Sequence, residues 1–353
     1  MSNLTYRDAG QDLDLYGKGI DAIAPLVTRT HGPRVLDKFG GFASLFSLEG
    51  SPLFSRGWRK PVLVTCNDGV GTKLKVAAMM RKFDTVGIDL VAMSANDALC
   101  TGGEPMVFLD YIALPKDDPD LLAQLVKGIS DGCIEAGCAL AGGETAILPD
   151  FYAPGDFDMA GFCVGVVERD EVIDGRTVQA GDAVVGLSSS GLHSNGYSLA
   201  RKIAFQHAGL TVGSRVDGLA RTVGEELLEP TRLYPKALKA ALAAYPFATG
   251  TVRALAHITG EGLEGNIPRV LPEGKKVVLH RGSWPVPPVF GWLQRAGGVD
   301  EAEMHTVFNM GIGFVMIVAK ESADGVVRVL GEAGYPSQVI GEVRAGEPGV
   351  EFA

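Results

Sequence analysis

Positive charge is in short supply in this chain. Its 32 Lys and Arg face 42 Asp and Glu, a formal net charge of −10. Without a basic stripe to displace counterions, nucleic acid is excluded as the main partner. A nucleoside triphosphate is not, because Mg²⁺ can bridge acidic side chains to phosphate. No uninterrupted apolar run approaches the roughly 20 residues that cross a bilayer, so no membrane partner is expected. The start, Met1-Ser2-Asn3-Leu4-Thr5-Tyr6, lacks the basic-then-apolar order of a signal peptide. Cysteines are few and odd in number, five in all. Cys66, Cys100, Cys133, Cys138 and Cys163 show no zinc spacing, which predicts buried reduced thiols and a cytoplasmic compartment.

Glycine, by contrast, is abundant, at 47 of 353 residues, so many tight turns and close backbone approaches are expected. The length suits two domains at about 150 residues each. From residue 61 the pattern alternates: strand 61–67, helices 72–82 and 86–101, strand 105–113, helix 118–136, then strands 138–142 and 158–167. Before it come a helix over 20–29 and a loop, Gly40-Gly41-Phe42-Ala43, leading to a short strand at 44–48. The charged break Glu168-Arg169-Asp170-Glu171 divides a first domain, 1–169, from a second, 170–353. The second domain reads as strand 183–188, helices 197–206, 234–244 and 287–296, strand 313–319, helix 323–333 and a final strand at 337–343. The fold class is α/β, or α+β layers, in both halves.

Four segments carry chemistry. Asn67-Asp68-Gly69-Val70-Gly71-Thr72-Lys73 follows an apolar strand and opens a helix. Its glycines allow close approach of a ligand to backbone amides, and a helix N-terminus favours an anion. Asp68 suits a divalent cation and Lys73 suits phosphate oxygens. The spacing is not that of a P-loop, and a plain strand–turn–helix corner is the other reading. The apolar helix beginning at Val86 carries Asp89, Asn96 and Asp97, the first two on one face. They read either as a solvent-facing edge or as Mg²⁺ or ribose contacts. Gly142-Gly143-Glu144-Thr145 places a third carboxylate after glycines near a strand end, where ligands of open α/β sheets collect. Ser188-Ser189-Ser190-Gly191-Leu192-His193-Ser194-Asn195-Gly196 suits a phosphate or sugar, or simply a capped helix start.

In order, these segments resemble one family, phosphoribosylformylglycinamidine cyclo-ligase, also called aminoimidazole ribonucleotide synthetase. The resemblance extends through Tyr6-Arg7-Asp8-Ala9-Gly10, Pro230-Thr231-Arg232, Ala256-His257-Ile258-Thr259-Gly260, Asn266-Ile267-Pro268-Arg269 and Phe308-Asn309-Met310-Gly311. It implies an N-terminal domain whose strands join a second subunit's in a dimeric β-barrel, an α/β C-terminal domain, and an active site between the halves. It implies ATP-dependent closure of formylglycinamidine ribonucleotide to aminoimidazole ribonucleotide, with ADP and phosphate released. ATP and Mg²⁺ are the expected cofactors and a homodimer the expected assembly.

The resemblance assigns Asp68, Asp97 and Glu144 to metal. Gly40, Gly41, Gly69, Gly71, Thr72, Lys73, Asp89, Asn96 and Gly143 join them around ATP. It places Ser189, Ser190, Gly191, His193, Ser194, Asn195, His257, Thr259 and Asn266 at the substrate, with Lys73, His193 and Asp68 catalytic. His31, His207, His280 and His305 are expected at the surface. Gly260-Glu261-Gly262-Leu263-Glu264-Gly265 satisfies a dinucleotide fingerprint literally, but no acidic residue follows at the required distance. The family has three consecutive glycines and a Glu-Asn pair here, so Glu261 and Gly265 depart from it. Related ATP-using enzymes are the rivals, namely thiamine-monophosphate kinase, selenophosphate synthetase and hydrogenase-maturation proteins, together with a nucleotide sensor without turnover. The selenium enzyme needs an early reactive cysteine, and none precedes Cys66.

Overall fold

Each half of the chain builds its own sheet. The computed structural model describes residues 7–41, 43–49 and 58–353, so the expectations placed on Tyr6 and Phe42 lie outside it. In the first half the elements are α1 (Leu13–Thr28), β1 (Pro61–Gly69), α2 (Lys73–Met80), α3 (Val86–Leu99), β2 (Glu104–Leu114), α4 (Pro119–Ala136), β3 (Ala139–Ile147) and β4 (Asp158–Glu168). The sheet order is β1-β4-β2-β3, with β2 and β3 parallel and the other pairs antiparallel. The second half contains β5 (Ala183–Ser188), α5 (Tyr197–Arg201), α6 (Val223–Leu227), α7 (Pro235–Ala244), β6 (Val252–His257), α8 (Gly262–Asn266), β7 (Lys275–Leu279), α9 (Pro288–Gly297), α10 (Glu301–Val307), β8 (Ile312–Val318), α11 (Ala323–Glu332), β9 (Ser337–Ala345) and β10 (Val350–Phe352). Its six strands run β10-β7-β9-β5-β8-β6.

Local chemistry explains most boundaries. The Asp12 carboxylate accepts from the Asp14 and Leu15 amides, so α1 begins well before residue 20. Asp118 caps α4 at the Leu121 amide, Pro119 occupies its first turn, and left-handed Gly137 ends it. Several expectations fail. The strand over 44–48 is only a bridge between Val35 and Phe46. The helix over 197–206 is α5 followed by a π-helical turn, Lys202–His207. β3 continues to Ile147, so Glu144 lies inside a strand rather than at its end. β6, β7 and β10 were not legible.

Helices α3 and α4 pack on the inner face of the first sheet at very close range. A Cβ at Gly87 would overlap the backbone of Ile129, Gly128 and Leu125, so the crossing requires glycine. The opposite face of the same sheet leaves Leu63, Phe162 and Tyr111 exposed at 62%, 46% and 36%. Gly87→Ala is expected to cost about 2 kcal/mol or more through overpacking, read as a lower urea midpoint at unchanged slope.

Candidate active site

The α3 face carrying Asp89 and Asn96 meets the second half of the chain rather than solvent or a ligand. Asp89 Oδ1 accepts from the Thr231 amide and hydroxyl, both at 2.7 Å, and from Ser194 Oγ at 3.2 Å. Asn96 donates to the Arg232 carbonyl at 2.9 Å and accepts from the Tyr234 amide at 2.9 Å. Between them they grip the backbone of residues 231–234. Both are fully buried, and their polar atoms serve this contact between the halves.

Lys73 is likewise engaged within the chain. Its side chain is completely buried, and its ammonium donates to Asp89 Oδ1 at 2.9 Å, the His193 carbonyl at 2.9 Å and the Glu229 carbonyl at 2.5 Å. An ammonium has three donors, and all three are taken up by these contacts. The Tyr197 ring lies 5.4 Å beneath it.

Asp97, one step round the helix, has a different setting. Its side chain is 44% exposed, and one oxygen accepts from His257 Nδ1 at 2.8 Å. The second His257 nitrogen lies 3.5 Å from Asn96 Nδ2, which fixes the ring and thereby aims the Asp97 carboxylate. Asp68, at the open end of β1, belongs to the same group. Partial burial holds its carboxyl above the usual carboxylate range. The Gly69 amide opposes this, the Asp97 charge adds to it, and His257 opposes it. Asp68, Asp97 and His257 therefore form one electrostatic unit spanning both halves. Beside it a cavity of about 400 Å³ is lined by Asp97, Cys100, His257, Asn266 and Arg269. Arg269 was missed as a site residue; its place in the motif after Asn266 was the available signal.

Glu144 is not part of this unit. Asp68, Gly161, Asp110 and Gly143 form one row across the sheet, whereas Glu144 pairs with Tyr111 in the next row. Successive strand residues face opposite ways, so Glu144 points to the outer face. It lines a cavity of about 760 Å³ with Gly40, Gly41, Asp110, Gly143 and Phe162. Arg34 bonds Glu104 at 2.9 Å and the Ser47 carbonyl at 3.1 Å, tying the segment over this cavity to the sheet. Burial, then the Glu144 charge, pushes the Asp110 carboxyl up to about 7. Among the described residues no group of three or more His, Cys, Asp or Glu side chains could hold a metal ion. The expected joint metal site of Asp68, Asp97 and Glu144 is thus not assembled in a single chain.

Hydroxyls of the 188–196 loop are spent internally. Ser189 bonds the Gly191 carbonyl and Asn309, Ser190 bonds the Pro230 carbonyl, and Ser194 bonds Asp89 and Thr231. Thr259 likewise donates to Asn266, whose amide holds the Gly260 and Gly262 carbonyls. These hydrogen bonds shape the two loops. His193 is 1% exposed, in a left-handed backbone at φ 63°. Its Nε2 accepts from the Ser190 and Arg232 amides at 3.2 and 3.5 Å, so Nδ1 carries the proton. Burial, with His257, Lys73 and Arg232 adding to it, pushes the imidazole well below its ordinary range. A ring held neutral in this way is a poor proton carrier. Gly71 and Thr72 line a third cavity, of about 250 Å³, at the start of α2. His31 and His305 are half-buried rather than at the surface.

The family model described as AIR synthase related protein, N-terminal domain, matches residues 58–167, and its C-terminal counterpart matches 179–352. The chain is 52% identical over 341 residues to a phosphoribosylformylglycinamidine cyclo-ligase of Sorangium cellulosum, covering 97% of this chain and 95% of the relative. To that of Geotalea uraniireducens it is 48% identical over 350 residues, covering 99% and 98%. The chain belongs to the AIR synthase related family. Its mixed α/β, two-domain fold is shared by thiamine-monophosphate kinase from Stenotrophomonas maltophilia, at TM-score 0.67, 18% identity and 94% and 95% coverage. Hydrogenase maturation protein HypE in complex with ATP matches at TM-score 0.63, 19% identity and 94% and 91% coverage. At these identities the likeness in this AIR synthase related chain is one of fold alone.

Two outcomes follow from the buried groups. Lys73→Met leaves Asp89 buried without its counter-ion and should lower stability by about 3 kcal/mol or more, measured by chemical denaturation. His193 must charge on unfolding in acid, so the unfolded state binds more protons below about pH 6.5. Stability should then fall there by up to about 1.4 kcal/mol per pH unit. Denaturation from about pH 7.5 down to about pH 5 should show a shallower fall for His193→Gln.

Proposed function

We propose that the protein is a phosphoribosylformylglycinamidine cyclo-ligase, working at the cleft where Asp68 and Asp97 meet His257. It closes formylglycinamidine ribonucleotide to aminoimidazole ribonucleotide with ATP, in de novo purine biosynthesis. The observation that carries this reading is identity of about half over nearly the whole length of relatives that bear this name.

The chemistry suits the residues. An amide oxygen is a poor leaving group, so the formyl amide oxygen attacks the γ-phosphorus of ATP and ADP departs. The amidine nitrogen then attacks the activated carbon, and phosphate leaves with the former amide oxygen. Such transfers rest mainly on positioning and charge stabilisation. Asp68 and Asp97 repel one another, and a divalent cation would relieve that repulsion, so the pair fits Mg²⁺. When bound, Mg²⁺ supplies positive charge beside the phosphate oxygens. The Gly71 amide and Thr72, at the start of α2, are placed to bind phosphate, while the Gly69 amide holds the Asp68 carboxylate at 2.7 Å. Glu144, Gly40 and Gly41 line the larger cavity, which we assign to the rest of the nucleotide. The ribonucleotide is assigned to the cavity of His257, Asn266 and Arg269.

The domains divide after Arg169, and a second copy covers the outer face bearing Leu63, Phe162 and Tyr111, since apolar groups clustered on one sheet face favour association. The enzyme is cytoplasmic; among the described residues no helix is long and apolar enough to cross a membrane.

Supplying formylglycinamidine ribonucleotide with Mg-ATP should yield aminoimidazole ribonucleotide and ADP one to one. ADP release without aminoimidazole would sink the reading. Asp68→Asn should cut turnover by about 100-fold or more, as for loss of a group organising phosphoryl charge; near-normal turnover would remove Asp68 from the mechanism.

A further inference from the structure

The turn between β6 and α8 holds a residue where its backbone favours glycine. Glu261 sits at φ 71°, ψ 5°, in the left-handed region, at the N-terminal end of α8. Non-glycine residues stay there only when their surroundings or their task require it. Its side chain does not point away from the helix. It folds back over Gly265, where a Cβ would overlap Glu261 Cβ and stand 2.9 Å from Glu261 Oε2. Gly265 therefore lacks a side chain because Glu261 fills that space, and the carboxylate lies where a residue at 265 would project its own. The Gly265 amide bonds the Glu261 carbonyl at 2.9 Å, which locks the two positions together.

The same turn borders the cleft. A Cβ at Gly260 would stand 3.6 Å from Asn195 Oδ1, and the helix continues into Asn266 and then Arg269, which line the cavity beside Asp97 and His257. The two departures from the resembled pattern, a glutamate for glycine at 261 and a glycine for glutamate at 265, thus sit against each other as one exchanged pair.

We propose that Glu261 contacts substrate, delivering to the cleft from position 261 a carboxylate that position 265 cannot supply, and that it receives the amidine of the ribonucleotide. A carboxylate's two oxygens match the paired N–H groups of a planar amidinium, as they do a guanidinium. This rests on the cyclo-ligase reading.

Steady-state kinetics and thermal unfolding of three variants test it. Glu261→Gly relieves the backbone and should melt at the same temperature or higher. It should nevertheless lose roughly tenfold or more in kcat/KM for the ribonucleotide, with the KM for ATP unchanged. Glu261→Gln, which keeps the shape without the charge, should fall with it. The exchange of both positions, Glu261→Gly with Gly265→Glu, should recover most of the loss. Wild-type kcat/KM in Glu261→Gly, an equal rise in the KM for ATP, or an exchange variant no better than Glu261→Gly would overturn the inference while leaving the cyclo-ligase reading intact. A wild type without turnover would sink both.

Discussion

The buried ion pair of Lys73 and Asp89 is the constraint on which the geometry of the cleft depends. An ammonium removed from water is costly unless its donors and its charge are satisfied together. Burial pushes the Lys73 amine down, and the Asp89 charge pulls against that shift. Two of its three acceptors, the His193 and Glu229 carbonyls, belong to the second half of the chain. Asp89 in turn takes up the Thr231 amide. The halves cannot slide past one another without stranding one of these charges. Because α2 opens directly after the Asp68 corner, the same contact sets that corner against the loop at His193.

This arrangement explains what the sequence could and could not convey. Long periodic elements such as α4 were legible because a single apolar stripe and its caps encode them locally. β7 starts on two lysines, and β10 has three residues, so neither carries a period long enough to read. At the site, the glycine corner at Asp68 and the carboxylate of Asp97 on an apolar helix each imply a ligand or a partner, and the structure brings both near His257. Lys73, Asp89 and Asn96 drew a ligand reading on the same grounds, and in the folded chain they bond protein groups. A polar group on a buried face satisfies either a ligand or a distant backbone, and Thr231 lies 142 residues from Asp89. Nothing local distinguishes the two.

Glu144 illustrates a different limit. Its motif repeats the residue logic of Asp68, a carboxylate beside glycine in a strand, yet one step of register puts the two on opposite faces. The acids of the first sheet therefore serve two cavities. One is shared with the second half of the chain, and the other opens on the face that carries the exposed apolar side chains.

Strain follows the same geography. Of the left-handed non-glycine residues among those described, Arg81 and Asp150 lie in the first half, and His193, Glu261 and Met310 lie in second-half loops. Asn309 binds two of these loops together: its amide donates to the Gly191 carbonyl at 2.9 Å, and its oxygen accepts from Ser189 and from the Gly311 amide. Left-handed backbone at a non-glycine residue persists only where neighbours over-determine it. Here the serines, Asn309 and Lys73 supply that over-determination, which is why hydroxyls that look like substrate ligands in the sequence are turned inward. The serines of the 188–196 loop hold its shape, whereas the buried Asn195 Nδ2 has no hydrogen-bond partner and is left to meet a ligand. The shape of this cleft is thus set by where the backbone is held.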